Sequence, residues 1–229
     1  MRAFAQLLEN LIFTPGRNAK LAHLVEYFRS TPDPDRGWAV AALTGDLSLP
    51  SLTPSRIRGL VEERVDPALF RLSYDFVGDL AETVALIWPG GGDDPPALGN
   101  VIDELSGTGP VQAGTVLTEL CDRMGPSERL ALIKLCGGAM RVGVSARLVR
   151  TALAMMADHP DRTVARLEEL WFALEPPYRE LFAWLDGGPE PDVDLSLAFR
   201  PVMLANPLDE ARLVDMDAAD YVAEWKWDV

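Results

Sequence analysis

Two stretches of the 229-residue chain set side chains at spacings suited to chemistry. "AEWKWDV", Ala223 to Val229, places Lys226 between Trp225 and Trp227, with Glu224 and Asp228 two positions to either side. Side chains of an extended segment alternate between faces, so Glu224, Lys226 and Asp228 share one face and the tryptophans share the other. Such a segment presents an amine to a ligand between two carboxylates. In the second stretch, 137–150, Gly137, Gly138 and Gly143 allow close backbone approach, and Ser145 can cap a following helix whose N-terminal N–H groups suit a phosphate. Lys134, Arg141, Arg147 and Arg150 fall between 134 and 150 with no acidic residue among them, the most basic window of the chain. The same residues also suit a plain helix–helix corner with solvated arginines, Arg147 and Arg150 serving the surface or the helix dipole.

Composition bounds what such stretches can serve. The hydrophobic and charged fractions are those of an ordinary folded protein, whereas the net charge of −14 repels nucleic acid at long range, so DNA binding must rest on local patches. Cys121 and Cys136 lie in apolar helical patterns without zinc-site spacing, and read as reduced core thiols. His23 and His159 stand singly, so no metal ligand set is expected. The polar N-terminus is unlike a signal peptide, and no run of about 18 apolar residues is present to span a membrane. Together these point to a cytoplasmic protein with no membrane partner.

The elements that must position the two stretches are helical. Phe4, Leu7, Leu8, Leu11 and Ile12 form one stripe. Thr14-Pro15, Asp33-Pro34, Thr53-Pro54 and Asp66-Pro67 each set a capping oxygen before a proline, the pattern of a helix start. Further segments such as "GPSERLALIKLCGG" and "SARLVRTALAMMAD" have helical period, which predicts an all-α body of roughly ten helices. Trp38, Trp88, Trp171 and Trp184 lie on apolar stripes and are expected in the core. Residues 89–100, "PGGGDDPPALGN", predict an exposed loop. After Asp186 the Pro/Gly/Asp run "GGPEPDVDLS" reads as a linker, followed by extended "FRPVMLA" and "YVAEWKW". The expected organisation is a helical domain over 1–190 and, over 191–229, a linker with the start of an α/β domain, since about 35 residues cannot form a core alone.

A helical body, a linker, "RPVMLA" and then "EWKWD" resembles the ATP-dependent DNA ligases, at the point where an all-α DNA-binding domain leads into the nucleotidyltransferase domain. The family motif K-x-D-G is matched by "KWDV", with Val229 in place of the glycine, and "PVML" at 201–204 matches the usual lead-in. The resemblance implies that Lys226 is the nucleophile that attacks the α-phosphate of ATP to form a lysyl-AMP. Glu224 would contact the adenine and Asp228 would lie in the same pocket, with a divalent metal such as Mg²⁺ offsetting the triphosphate charge. "TPGRNAKL" resembles the family's T-x-x-R-x-x-K at Thr14, Arg17 and Lys20. "GGAMRVGVSARLVRTALA" resembles its G-x-x-R-x-G at Gly138, Arg141 and Gly143, which the family sets against the minor groove of nicked DNA. Ala139 replaces a second basic residue found in many relatives, and "SYDFVGDLAETVALIWP" is most similar to the bacterial branch.

The resemblance therefore implies a domain that grips nicked double-stranded DNA, through Thr14, Arg17, Lys20, Gly138, Arg141 and Gly143. It serves an enzyme that joins a 5′-phosphate to a 3′-hydroxyl in replication, repair or recombination, with a separate chain as one possible source of the catalytic domains. A different class, a helical scaffold whose acidic surface binds a basic protein, is supported by the net charge. On the ligase reading the remaining strands of the nucleotide site lie beyond these 229 residues, and the chain by itself is expected to be inactive. Incubated with ATP and Mg²⁺ it should keep its intact mass, and a gain of one AMP on Lys226 would overturn that expectation.

Overall fold

A computed structural model describes residues 1–49, 52–109, 112–138 and 140–193. These residues are all-α: twelve α-helices, one 3₁₀ turn at Trp171–Ala173, and no strand among them. Helix α1 (Arg2–Phe13) follows the predicted stripe, burying Phe4, Leu7, Leu8 and Leu11. After it come α2 (Arg17–Ser30), α3 (Asp35–Thr44), α4 (Pro54–Glu62), α5 (Pro67–Val77), α6 (Leu80–Ile87) and α7 (Leu98–Ser106). The second half adds α8 (Ala113–Arg123), α9 (Pro126–Cys136), α10 (Ala146–Ala157), α11 (Val164–Leu170) and α12 (Arg179–Leu185). No helix among the described residues is long and apolar enough to cross a membrane. The tail carrying "RPVMLA" and "EWKWD", with Glu224, Lys226 and Asp228, lies outside the described residues, as does most of the 191–229 segment.

Helix α9 is central. It buries Ala131, Leu132, Ile133, Leu135 and Cys136 around its circumference, and it packs between α1 and α6. A helix apolar all round is stable only inside such a layer. Alongside it α2 packs against α10, and α10 also meets α3, α11 and α12. Cys121 and Cys136 are buried free thiols, and burial pushes the Cys121 thiol up to about 12. Neither forms a thiolate at neutral pH, in keeping with their reading as core residues. Trp88 and Trp184 are buried as expected, while Trp38 and Trp171 are half-buried.

Two of the four expected helix starts hold. Thr53 and Asp66 accept hydrogen bonds from the backbone N–H groups of Arg56 (3.3 Å) and Leu69 (2.9 Å), with proline in the first turn. Thr14 and Asp33 do not cap. The Thr14 hydroxyl lies 3.3 Å from His23 Nε2, and α2 begins after Gly16. Asp33 accepts two hydrogen bonds from Arg36, at 2.9 and 2.8 Å, leaving Pro34 at the N-cap of α3. In both cases a side-chain partner one turn or more away outcompetes the local N–H groups.

Residues 89–97 form the expected loop, mostly exposed, but the 89–100 segment departs from expectation on its C-terminal side. Its end is the first turn of α7, with Leu98 and Gly99 buried, and the cap comes from another helix: Asp35 accepts from Leu98 N (2.9 Å) and Gly99 N (2.8 Å). Its start is held by Arg129, 2% exposed, which donates to the carbonyls of Cys121 (2.8 Å), Trp88 (3.3 Å) and Gly90 (2.5 Å). Burial lowers the pKa of this guanidinium, yet the ordinary value is so high that it stays charged.

Helix α3 docks against α12 through Arg36, which joins Asp33 to Asp186 (2.6 Å) and lies 4.2 Å from the Phe182 ring centroid. The next residue, Gly37, admits the Pro177 carbonyl so closely that a Cβ there would lie 1.7 Å from the oxygen. Helix propensity favours alanine over glycine by about 1 kcal/mol. The collision outweighs it, so Gly37→Ala should lose on the order of 3 kcal/mol, an overpacking cost. Chemical denaturation checks this, and a variant as stable as wild type would exclude the close approach.

Candidate nucleic-acid interface

The loop between α9 and α10 owes its shape to two glycines. Gly138 and Gly143 have φ of +66° and +69°, a region costly for side chains other than glycine. Val142 between them is buried and anchors the loop in the core, which leaves Arg141 exposed. Ser145 ends the loop as the N-cap of α10, its hydroxyl accepting from Leu148 N at 3.2 Å, as its position in the sequence implied.

Helix α2 closes the other side. Lys20 lies on the buried face of α2 with Leu21, Leu24, Tyr27 and Phe28, and is only 8% exposed. Its ammonium donates to the carbonyls of Val142 (3.0 Å) and Gly143 (3.1 Å), 122 and 123 residues away in the chain. A Cβ on Gly143 would lie 2.4 Å from Lys20 Nζ. Glycine is therefore needed here twice, for its positive φ and for the space the ammonium occupies. Two of the three donors of Lys20 are committed to carbonyls, so this residue acts first as a clamp.

The clamp brings together two segments that the sequence singled out separately. Between them lies a groove of about 690 Å³, with Pro15, Arg17 and Lys20 on one side and Arg141, Gly143 and Ser145 on the other. None of the described residues lining it is acidic. The side chains of Arg17 and Arg141 are exposed and make no ion pair or hydrogen bond among the described residues, and the same holds for the side chain of Arg147 in the first turn of α10. Three free guanidiniums thus stand at the groove and at the helix N-terminus beside it.

Other candidates are placed elsewhere. Thr14 is half-buried against His23 and does not line the groove. Gly138 is exposed and contributes backbone shape only. Half of the basic window is internally paired: Lys134, 9% exposed, donates to Asp79 at 3.1 Å. Arg150 lies 3.8 Å from Glu168 and 4.8 Å from the Trp171 ring. Ala139, Glu224, Lys226 and Asp228 lie outside the described residues. Among the described residues no group of three or more His, Cys, Asp or Glu side chains could hold a metal ion. The link from Lys20 to the loop is what sequence reasoning missed, although the helical period of α2 placed Lys20 in register with Leu24 and Phe28.

The clamp has a measurable signature. Lys20→Met strands two carbonyls and should lose about 1–3 kcal/mol. Gly143→Ala should lose a similar amount by displacing the ammonium and straining φ, about 1–3 kcal/mol. In the double variant the ammonium is already gone, so its loss should be smaller than the sum of the two single losses; strict additivity in a denaturation cycle would sever the link. No protein-family model matches the chain, and no curated protein matches it.

Proposed function

We propose that residues 1–190 are the DNA-binding domain of an ATP-dependent DNA ligase and grip nicked duplex DNA through the groove between α2 and the loop before α10. One observation carries the reading. Arg17 and Lys20 of the T-x-x-R-x-x-K segment and Arg141 and Gly143 of the G-x-x-R-x-G segment, far apart in sequence, are joined by the Lys20 clamp and line one groove with no carboxylate among its described lining residues. Chance similarity at two separate segments gives no reason for them to meet.

The chemistry follows from what lines the groove. Arg17, Arg141 and Arg147 are free to pair with phosphates, and the first turn of α10 adds backbone N–H groups. Such contacts position a duplex without reading its sequence, as nick recognition requires. Lys20 and Gly143 hold the two walls in register. On the same reading Lys226 accepts AMP, Glu224 and Asp228 sit beside it, and ATP with a divalent metal such as Mg²⁺ is the cofactor of the full enzyme. A separate chain can supply the remaining catalytic domains.

Three phosphate contacts predict a log–log salt slope of about −3. Binding to nicked duplex should exceed binding to intact duplex, and Arg141→Ala or Arg17→Ala should each weaken it and flatten the slope by about one unit. Arg179→Ala, which removes an exposed guanidinium on another helix, should leave the slope unchanged. Absence of binding at low salt would overturn the reading and favour the acidic scaffold instead.

A further inference from the structure

The outer face of α5 is the least explained surface of the described residues. This helix buries Phe70 alone, whereas Leu69, Leu72 and Phe76 are 52%, 67% and 92% exposed. Their i, i+3, i+7 spacing sets them on one stripe, the pattern by which a helix packs against a partner. An apolar stripe of this kind facing water marks an interaction surface. It also carries a charge pattern of its own. The side chains of Arg71 and Asp75 are exposed, and neither makes an ion pair or hydrogen bond among the described residues. At about 100° per residue both fall on the same flank of the stripe, one turn apart.

We propose that α5 is the contact helix of a two-fold homodimer, paired antiparallel with α5 of a second copy. In a two-fold contact residue i meets j and j meets i. Antiparallel helices related this way turn like flanks toward each other. An axis passing near Ser73 then sets Arg71 against Asp75 of the second copy, and Asp75 against its Arg71, in two equivalent ion pairs. Leu69, Leu72 and Phe76 interleave across the same axis. A parallel pairing turns the Arg71 and Asp75 flank toward the flank carrying Ser73 and leaves all four charges unmatched. The stripe is therefore complementary to itself in one orientation, which identifies a second copy of this chain as its occupant. None of these residues lines the groove of the proposed DNA interface, so the dimer and the DNA reading stand or fall separately.

Sedimentation equilibrium of the full chain across a concentration range tests the dimer. Wild type should show a monomer–dimer equilibrium. Phe76→Glu, at a position almost wholly exposed, should raise the dissociation constant about tenfold or more, as loss of a central aromatic anchor does. Arg71→Asp and Asp75→Arg should each weaken the dimer by setting like charges opposite, and the double swap should restore it, because the reciprocal pairs are re-formed. Circular dichroism confirms that each variant is folded. A monomer at every concentration overturns the proposal. So does a dimer indifferent to Phe76→Glu, or one that the double swap fails to rescue.

Discussion

The arrangement of the groove depends on one ammonium group. Lys20 Nζ, held below the surface of α2, is the hydrogen-bond donor that turns the Val142 and Gly143 carbonyls inward. Carbonyls withdrawn from water need a donor, and from Met140 to Gly143 the chain is neither helix nor strand, so no helical or sheet ladder supplies one. Without the ammonium the loop would have to turn its carbonyls to solvent, which would move Arg141 and the start of α10 together. The exposed guanidiniums are thus placed by an unexposed one-residue clamp, and Gly143 is the residue that leaves room for it.

Cations clamping backbone recur through the molecule. Arg129 gathers the carbonyls of Trp88, Gly90 and Cys121, and Arg29 reaches those of Met155 (3.4 Å) and Met156 (3.2 Å) near the end of α10. Arg36 and Lys134 instead tie helices together through carboxylates. In a chain with 21 basic and 35 acidic residues, such commitments leave few unpaired cations among the described residues. That makes the position of Arg17, Arg141 and Arg147 informative: the first two line one groove, the third lies in the first turn of α10, and their side chains are unpaired where most other described arginines are engaged.

Helix existence was legible because periodicity reports burial directly, as at Phe4, Leu7, Leu8 and Leu11. Capping was legible only where nothing competed. Thr53 and Asp66 bond to their own helices, but His23 claims Thr14 and Arg36 claims Asp33, and no local rule anticipates a competitor set by packing. The start of α7 shows the converse. Ala97 offers no cap, so the helix looked like loop, because the oxygen that completes it belongs to Asp35 on α3. At the groove, residue types and glycines marked the loop, whereas its union with α2 was hidden because it spans 122 residues. The basic window overstated its free charge for the same reason, since the partners of Lys134 and Arg150 lie at the N-cap of α6 and on α11.

The net charge of −14 is compatible with the proposed DNA interface once distance is considered. At physiological ionic strength charges separated by more than about 8 Å are largely screened. A phosphate seated in the groove responds chiefly to what lies within that range, and the described residues lining it include Arg17, Lys20 and Arg141 but no carboxylate. Carboxylates beyond that range would slow the approach of a polyanion at low salt more than they would weaken a seated complex at cellular salt. Net charge therefore bears on how fast such a domain finds DNA, while three guanidiniums and one helix start bear on how long it stays. On the proposed reading an acidic surface would also discourage binding away from the groove, and so confine a duplex to the face that the Lys20 clamp builds.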